Sequence, residues 1–153
     1  MLGPLVCING IMNTVMYREI LANNMLQFAN DRMPAGWIYQ QDNDPKHTSH
    51  LMMGALRNLP DGRKVRLPGW FSLNGIRLLK WPPNSPDLNP IEQLWQIVKQ
   101  QLRGNRFENK DLLWHAVNEA WNSSSLDILI SLVDSMPRRI NAVINSRGGH
   151  TKY

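Results

Sequence analysis

A chain of 153 residues with 42% hydrophobic content can build one domain with a real core, which excludes disorder of the chain as a whole. Its single cysteine, Cys7, excludes an internal disulfide framework and suits a reducing compartment; no apolar run reaches the length of a membrane span. The net charge of +5 fits an acidic partner such as nucleic acid, and equally a basic protein with no such partner.

Leu5-Val6-Cys7-Ile8 reads as a strand, with Cys7 as a small buried hydrophobe, and Asn9-Gly10 as a turn. The N-terminus has no basic region followed by a long apolar core, so no signal peptide is expected. Asn13 stands where it can cap a helix over about 14–31, because Tyr17, Leu21, Met25 and Phe28 recur at helical spacing with Ile20 beside them. Pro34 and Gly36 punctuate its end. The aromatic and branched run Trp37–Gln41 predicts a strand, and Asp42-Asn43-Asp44-Pro45 is turn chemistry. Thr48 or Ser49 then caps a helix through about Leu59, followed by a Gly-, Pro- and base-rich loop over 60–69.

Ile76–Lys80 alternates as a strand does, and Trp81–Asn89 is a proline loop stiffened by Pro82, Pro83 and Pro86. The next helix has a clear start: Asn89 as N-cap, Pro90 at the first position and Glu92 at the third. Ile91, Leu94, Trp95, Val98 and Leu102 form its apolar face, and Gly104 stops it. Leu113, Ala116, Val117, Ala120 and Trp121 define another helix. The region 129–143 predicts a third, broken or kinked by Pro137. Trp95 and Trp121 on apolar faces read as core residues. Strands alternating with helices give an α/β layout, which places reactive residues at strand ends and adjoining loops.

Two segments carry the chemistry, Gln40–Ser49 and Trp81–Glu92. Asp42 follows a strand, and Glu92 opens an amphipathic helix. Two carboxylates from separate elements can hold divalent cations, which activate water and offset charge on a phosphate. Each residue also has a plainer reading. An aspartate after a strand often only makes a turn. Glu92 fits a capping box, reaching back to the Asn89 N–H. Asn43, Lys46, His47 and Thr48 crowd polar groups beside Asp42, suited to touching a phosphate or orienting a ligand water; His47 fits a proton shuttle and a plain hydrogen-bonding surface residue equally. Asp87, inside Ser-Pro-Asp, reads as structural. His47 and His50 lack the further grouped ligands that zinc needs. Arg57, Arg63, Lys64, Arg66, Arg77 and Lys80 share their stretch with one acid, Asp61, and can neutralise DNA phosphates or form a solvated loop.

Gln40–Ser49, Trp81–Trp95 and the tail Met136-Pro137-Arg138-Arg139 through Gly148–Tyr153 together resemble the catalytic domain of Tc1/mariner-type transposases, in particular the Tc1-like branch. Gly3–Leu26 is similar to that family's stretch before its second acid. The resemblance implies a partial RNase H-like α/β fold, its first strands outside this chain, followed by C-terminal helices. It also implies two aspartates and a glutamate as the catalytic triad. Asp42 matches the second acid and Glu92 the third; no residue here is assigned to the first, and the family's N-terminal DNA-binding region is not matched.

In this reading residues 1–153 are the C-terminal part of a DDE catalytic domain with a basic insertion near 57–70. Forty-nine residues separate Asp42 from Glu92, where the family commonly has thirty-four or slightly more. A surface insertion costs little closure entropy. The implied parent activity is metal-dependent DNA strand cleavage and transfer, with two Mg²⁺ or Mn²⁺ ions held by Asp42 and Glu92. The implied partners are transposon-end DNA and, in the full-length enzyme, a second copy; the implied location is the nucleus, with no membrane role. Asn43, Lys46, His47, Arg63, Lys64 and Arg66 are the candidate phosphate contacts. With one acid unassigned, these residues alone are expected to be inactive. The alternatives are a non-catalytic transposase-derived nucleic-acid-binding module and a degenerate remnant.

Overall fold

The computed structural model describes residues 2–149 and 151–153; His150 of the tail motif lies outside them. Two compact units divide the chain, one Gly3–Pro83 and the other Asn84–Tyr153 together with Leu2. No helix among the described residues is long and apolar enough to cross a membrane.

In the first unit, Asn13 caps α1 (Thr14–Ile20) by accepting from the Met16 N–H at 2.9 Å. A π-helical turn, Leu21–Met25, links it to α2 (Leu26–Arg32). The wider turn inserts one residue, so the buried stripe runs Tyr17, Leu21 and then Ala29, where uniform α spacing points to Phe28. β1 (Ile38–Tyr39) pairs in parallel with β4 (Arg77–Leu78), and the Leu79 N–H extends the ladder to the Tyr39 carbonyl at 2.8 Å. Both strands are shorter than their apolar runs. α1, α3 (His50–Met53) and α4 (Trp70–Leu73) pack beside this ladder, burying Tyr17, Leu21, Met52, Phe71 and Ile76 as one cluster.

Several sequence expectations fail here. Residues 5–8 form no strand, and Cys7 is exposed; an apolar run becomes a strand only where a ladder partner exists, and β1 has β4. The helix expected through Leu59 ends at Met53. Gly54 takes φ +87°, and the chain turns into β2 (Gly54–Asn58), antiparallel to β3 (Lys64–Pro68) with Gly54 opposite Pro68 and Asn58 opposite Lys64. The expected loop is therefore a β-hairpin. Its turn is Pro60-Asp61-Gly62, closed by Leu59 N–H to Arg63 O at 2.8 Å and Gly62 N–H to Leu59 O at 3.0 Å. Gly62 has φ +82°.

The second unit begins with a 3₁₀ turn, Pro86–Leu88, and α5 (Pro90–Gln101). It continues through α6 (Lys110–Asn122), α7 (Leu126–Asp134) and α8 (Met136–Asn145). Asn109 caps α6 and Ser125 caps α7 with their side chains. Pro137 falls in the first turn of α8, where its missing N–H costs nothing, and the expected break is at Ser135. Leu94, Val98, Ala120 and Trp121 are buried, and the Trp95 and Trp121 rings lie 5.1 Å apart, as apolar faces predict.

Candidate active site

Asp42 lies three residues past β1, where an α/β layout places reactive groups. Its Oδ1 accepts the Asp44 N–H at 3.1 Å and stands 2.5 Å from His47 Nδ1. The carboxylate is 63% exposed, and its Oδ2 has no hydrogen bond among the described residues. The turn reading of Asp42 thus accounts for one oxygen and leaves the other uncommitted among the described residues.

His47 is held from three sides. Its ring stacks on Tyr17 with centroids 4.0 Å apart, its Nδ1 meets Asp42, and its carbonyl accepts from Gln41 Nε2 at 3.4 Å. Its Nε2 is buried without a hydrogen-bond partner. The Tyr17 hydroxyl donates to Gln41 Oε1 at 2.7 Å and lies 3.4 Å from the Tyr39 hydroxyl. Burial raises the Tyr17 phenol far above its ordinary range, and Tyr39, Asp42 and Asp44 add to the effect. Burial likewise raises Tyr39, partly opposed by its hydrogen bond with Tyr17. Both phenols stay neutral and act as a rigid polar floor under the loop.

Lys46 and Asn43 are engaged within the loop. Lys46 Nζ pairs with Asp44 Oδ2 at 2.7 Å, while its N–H donates to Asp44 Oδ1 at 2.8 Å. The Lys46 side chain first and its backbone N–H second hold the Asp44 carboxyl below the usual aspartate range. Asn43 Nδ2 donates to the Trp81 carbonyl at 3.2 Å, tying the acidic loop to the start of the proline segment. Sequence reading gave Tyr17, Gln41 and Asp44 only helix, strand and turn roles and none around Asp42 or His47. Tyr17 carried a signal only as a helix-face residue, and nothing in the sequence marked it as the platform for His47.

Glu92 sits in the first turn of α5 and is exposed. The capping box does not form: the Asn89 N–H goes to the Pro86 carbonyl at 3.0 Å, and the Asn89 side chain makes no cap bond. The 3₁₀ turn supplies the acceptor that Glu92 was expected to supply, so its carboxylate is not used as a cap. A helix start stabilises a carboxylate there.

Arg139 of α8 organises the segment before Glu92, a role sequence reading did not find. It is 2% exposed. Its guanidinium donates to Ser135 Oγ at 2.6 Å, to the Asp87 carbonyl at 3.0 Å and to Gln93 Oε1, and lies over the Tyr153 ring. Asp87 caps its own turn through Leu88 N–H at 3.1 Å and accepts from Thr151 Oγ1 at 2.9 Å, which bears out its structural reading. The expected signal was present as the tail motif, but only the fold shows what it grips.

Arg63 pairs with Asp61 at 2.7 Å, and its backbone N–H first and side chain second hold the Asp61 carboxyl low. Lys64 and Arg66 are exposed on β3 with no ion pair among the described residues. No group of three or more His, Cys, Asp or Glu side chains gathers among the described residues. Exposed carboxylates such as Asp42, with one oxygen unbonded among the described residues, are nevertheless the hard oxygen donors that Mg²⁺ and Mn²⁺ take.

The profile of the family described as DDE superfamily endonuclease matches residues 9–114. This chain belongs to that family. Within it, the chain is similar to the Tcb1 transposase of Caenorhabditis briggsae, 40% identical over 152 residues, covering 99% of this chain and 50% of that protein. It is 38% identical to the Tc1 transposase of Caenorhabditis elegans over the same span and coverage. The chain therefore spans about half the length of the curated relatives it matches. The Mos1 transposase catalytic domain, solved with raltegravir and Mn, superposes with a TM-score of 0.71 at 19% identity, covering 94% of this chain and 67% of that one. The Mos1 mariner paired-end complex with Mn gives 0.70 at 21%, covering 93% and 38%. These likenesses establish the RNase H-like fold with C-terminal helices, and the Tc1-like membership that the motifs implied.

Proposed function

We propose that these residues are the C-terminal part of a DDE catalytic domain whose parent activity is metal-dependent DNA strand cleavage and transfer. Asp42 and Glu92 are its second and third acids and its metal ligands. The observation that carries this reading is the state of Asp42: one oxygen fixed by His47 and the Asp44 N–H, the other open to solvent. A carboxylate serving only as a turn would not need a stacked, half-buried histidine to hold it.

Asp42 and Glu92 would hold Mg²⁺ or Mn²⁺, which when bound would supply Lewis acidity toward a phosphate and toward a water or 3′-hydroxyl. The relatives' structures with Mn support that choice of metal. His47 orients Asp42, Tyr17 supports His47, and Arg139 holds the Asp87 carbonyl before Glu92 and the Gln93 side chain after it. The proposed DNA partner is a transposon end, a choice that the paired-end complex of the Mos1 relative supports; a homodimer of the full-length protein and a nuclear location belong to the same proposal. With only two of the family's three acids proposed in this chain, the 153 residues by themselves are expected to be inactive.

Mn²⁺ binding followed by electron paramagnetic resonance tests the reading. The expected result is weak binding that falls at least tenfold in both Asp42→Asn and Glu92→Gln, with no cleavage of transposon-end duplex by the unmodified chain. Mn²⁺ affinity indifferent to both substitutions overturns the assignment. Cleavage by the unmodified chain overturns its inactivity.

A further inference from the structure

The hairpin Gly54–Pro68 is joined to the rest of its unit at a pinch point. A Cβ built on Gly69 would lie 2.2 Å from Gly54 N, 2.3 Å from Met52 O and 2.4 Å from Met53 C. One on Gly54 would lie 2.2 Å from Leu67 O. The chain therefore leaves α3 and returns to α4 at nearly the same place, and everything between is an appended ribbon. Each strand has five residues and so does the connection, which makes fifteen.

The ribbon has little core of its own. Leu56 is 62% exposed, every residue of β3 is exposed, and Val65 and Leu67 are among the exposed apolar residues. Its charge is one-sided in sign. Of Arg57, Arg63, Lys64 and Arg66, only Arg63 is neutralised among the described residues, by Asp61 in the turn. The register fixes where the other three point. Lys64 lies opposite Asn58 and Arg66 opposite Leu56, so both cations share one face. Arg57, opposite Val65, lies on the other face. Free cations thus flank the ribbon on both sides. A five-residue antiparallel pair is about 17 Å long, and the major groove of B-form DNA, about 12 Å wide, admits a two-stranded ribbon. The major groove of A-form RNA is too narrow and deep for one.

We propose that this hairpin is a grafted DNA-binding arm that enters the major groove and contacts phosphates through Arg57, Lys64 and Arg66. The proposal rests on the DNA-directed reading above for its choice of duplex DNA. It stands apart from the metal chemistry, because backbone contacts need no divalent ion.

Fluorescence anisotropy with the full 153-residue chain, a labelled mixed-sequence duplex and EDTA throughout separates the two. Between 50 and 200 mM salt, the slope of log affinity against log salt is expected to lose roughly 3 in the Arg57→Ala/Lys64→Ala/Arg66→Ala variant, about 0.9 for each contact. Binding at the upper salt is expected to fall at least tenfold. The charge-conserving Arg57→Lys/Lys64→Arg/Arg66→Lys variant is expected to keep the slope. All six changes are at exposed residues, so both variants should fold, which circular dichroism checks directly. An unchanged slope in the alanine variant overturns the proposal, as does no binding by the unmodified chain at 50 mM salt. Equal competition by duplex RNA overturns groove entry. A hairpin-dependent change in mass by light scattering, without a change in DNA binding, assigns the ribbon to self-association instead and also overturns the proposal. Loss of Mn²⁺ binding in Asp42→Asn leaves every one of these results unaffected.

Discussion

His47 Nδ1 stands 2.5 Å from Asp42 Oδ1 while the same ring stacks on Tyr17, so one imidazole ties an exposed carboxylate to the core of its unit. The pair converts a loop aspartate into a group with one fixed and one open oxygen. The bond is made to a largely exposed acid, so its contribution to stability is modest, and the stacking on buried Tyr17 adds to it.

Replacing His47 with alanine removes both contacts. The expected loss is about 1–2 kcal/mol by urea unfolding. His47→Phe keeps the stacking and should recover roughly half of that. If His47→Phe is as destabilised as His47→Ala, the ring contact contributes nothing and the stability account is wrong.

Gly69 and Gly62 make a contrasting pair. Gly69 has an ordinary negative φ, so Gly69→Ala meets only a steric barrier, but that barrier is backbone at close range. A loss of about 3 kcal/mol or more is expected, because backbone cannot step aside as a side-chain tip can. Gly62 has φ +82° and open space around its Cβ position, so Gly62→Ala should cost about 1–2 kcal/mol. Thermal melts of the two variants check the order; equal destabilisation would mean the pinch point is looser than its geometry.

Arg139 is held by a hydroxyl, a carbonyl, an amide oxygen and a ring, with no carboxylate among these contacts. Arg139→Met fills the volume but strands three acceptors, so a loss of about 3–4 kcal/mol is expected. Ser135→Ala, which removes one of those partners, should cost about 1 kcal/mol. Chemical unfolding resolves the difference. Similar values for the two would show that Arg139 is not the hub of the tail, the 3₁₀ turn and α5.

Asp44 provides a pH test. Its carboxyl is held low by Lys46, so the carboxylate form is favoured in the folded state. The stability it contributes is fully present above the ordinary aspartate pKa of about 3.9 and is lost as pH falls through the depressed native value. The stability difference between the unmodified chain and Asp44→Asn should therefore be larger at neutral pH than under acid conditions. Urea midpoints at neutral pH and near pH 3 measure it. A difference that grows on acidification contradicts the Lys46 pairing.

Much of the fold was legible because its signals are local. Asn13, Asn109 and Ser125 cap helices through bonds spanning three residues, and Pro137 marks a helix start because of its own ring. The apolar faces of α5 and α6 followed from periodicity. Expectations failed where the answer depended on distant backbone. The Pro60-Asp61-Gly62 turn and the alternating Lys64-Val65-Arg66-Leu67 were visible, yet the segment read as a loop because its return to Gly69 was not. Leu5–Ile8 read as a strand because apolar content is local, whereas strand pairing is not. The capping box at Glu92 failed because Pro86 reached the Asn89 N–H first.

Read alone, the chain gave away its family, the starts of several helices, and Asp42 and Glu92 as the acids to examine, since motifs and caps are written within a few residues. Tertiary structure decided which atoms of those side chains are committed. The Tyr17 platform under His47, the Arg139 hub and the Gly54–Gly69 approach join residues separated by tens of positions. Their bonds and exclusions arise only when packed backbone brings them together, so no local pattern could have announced them.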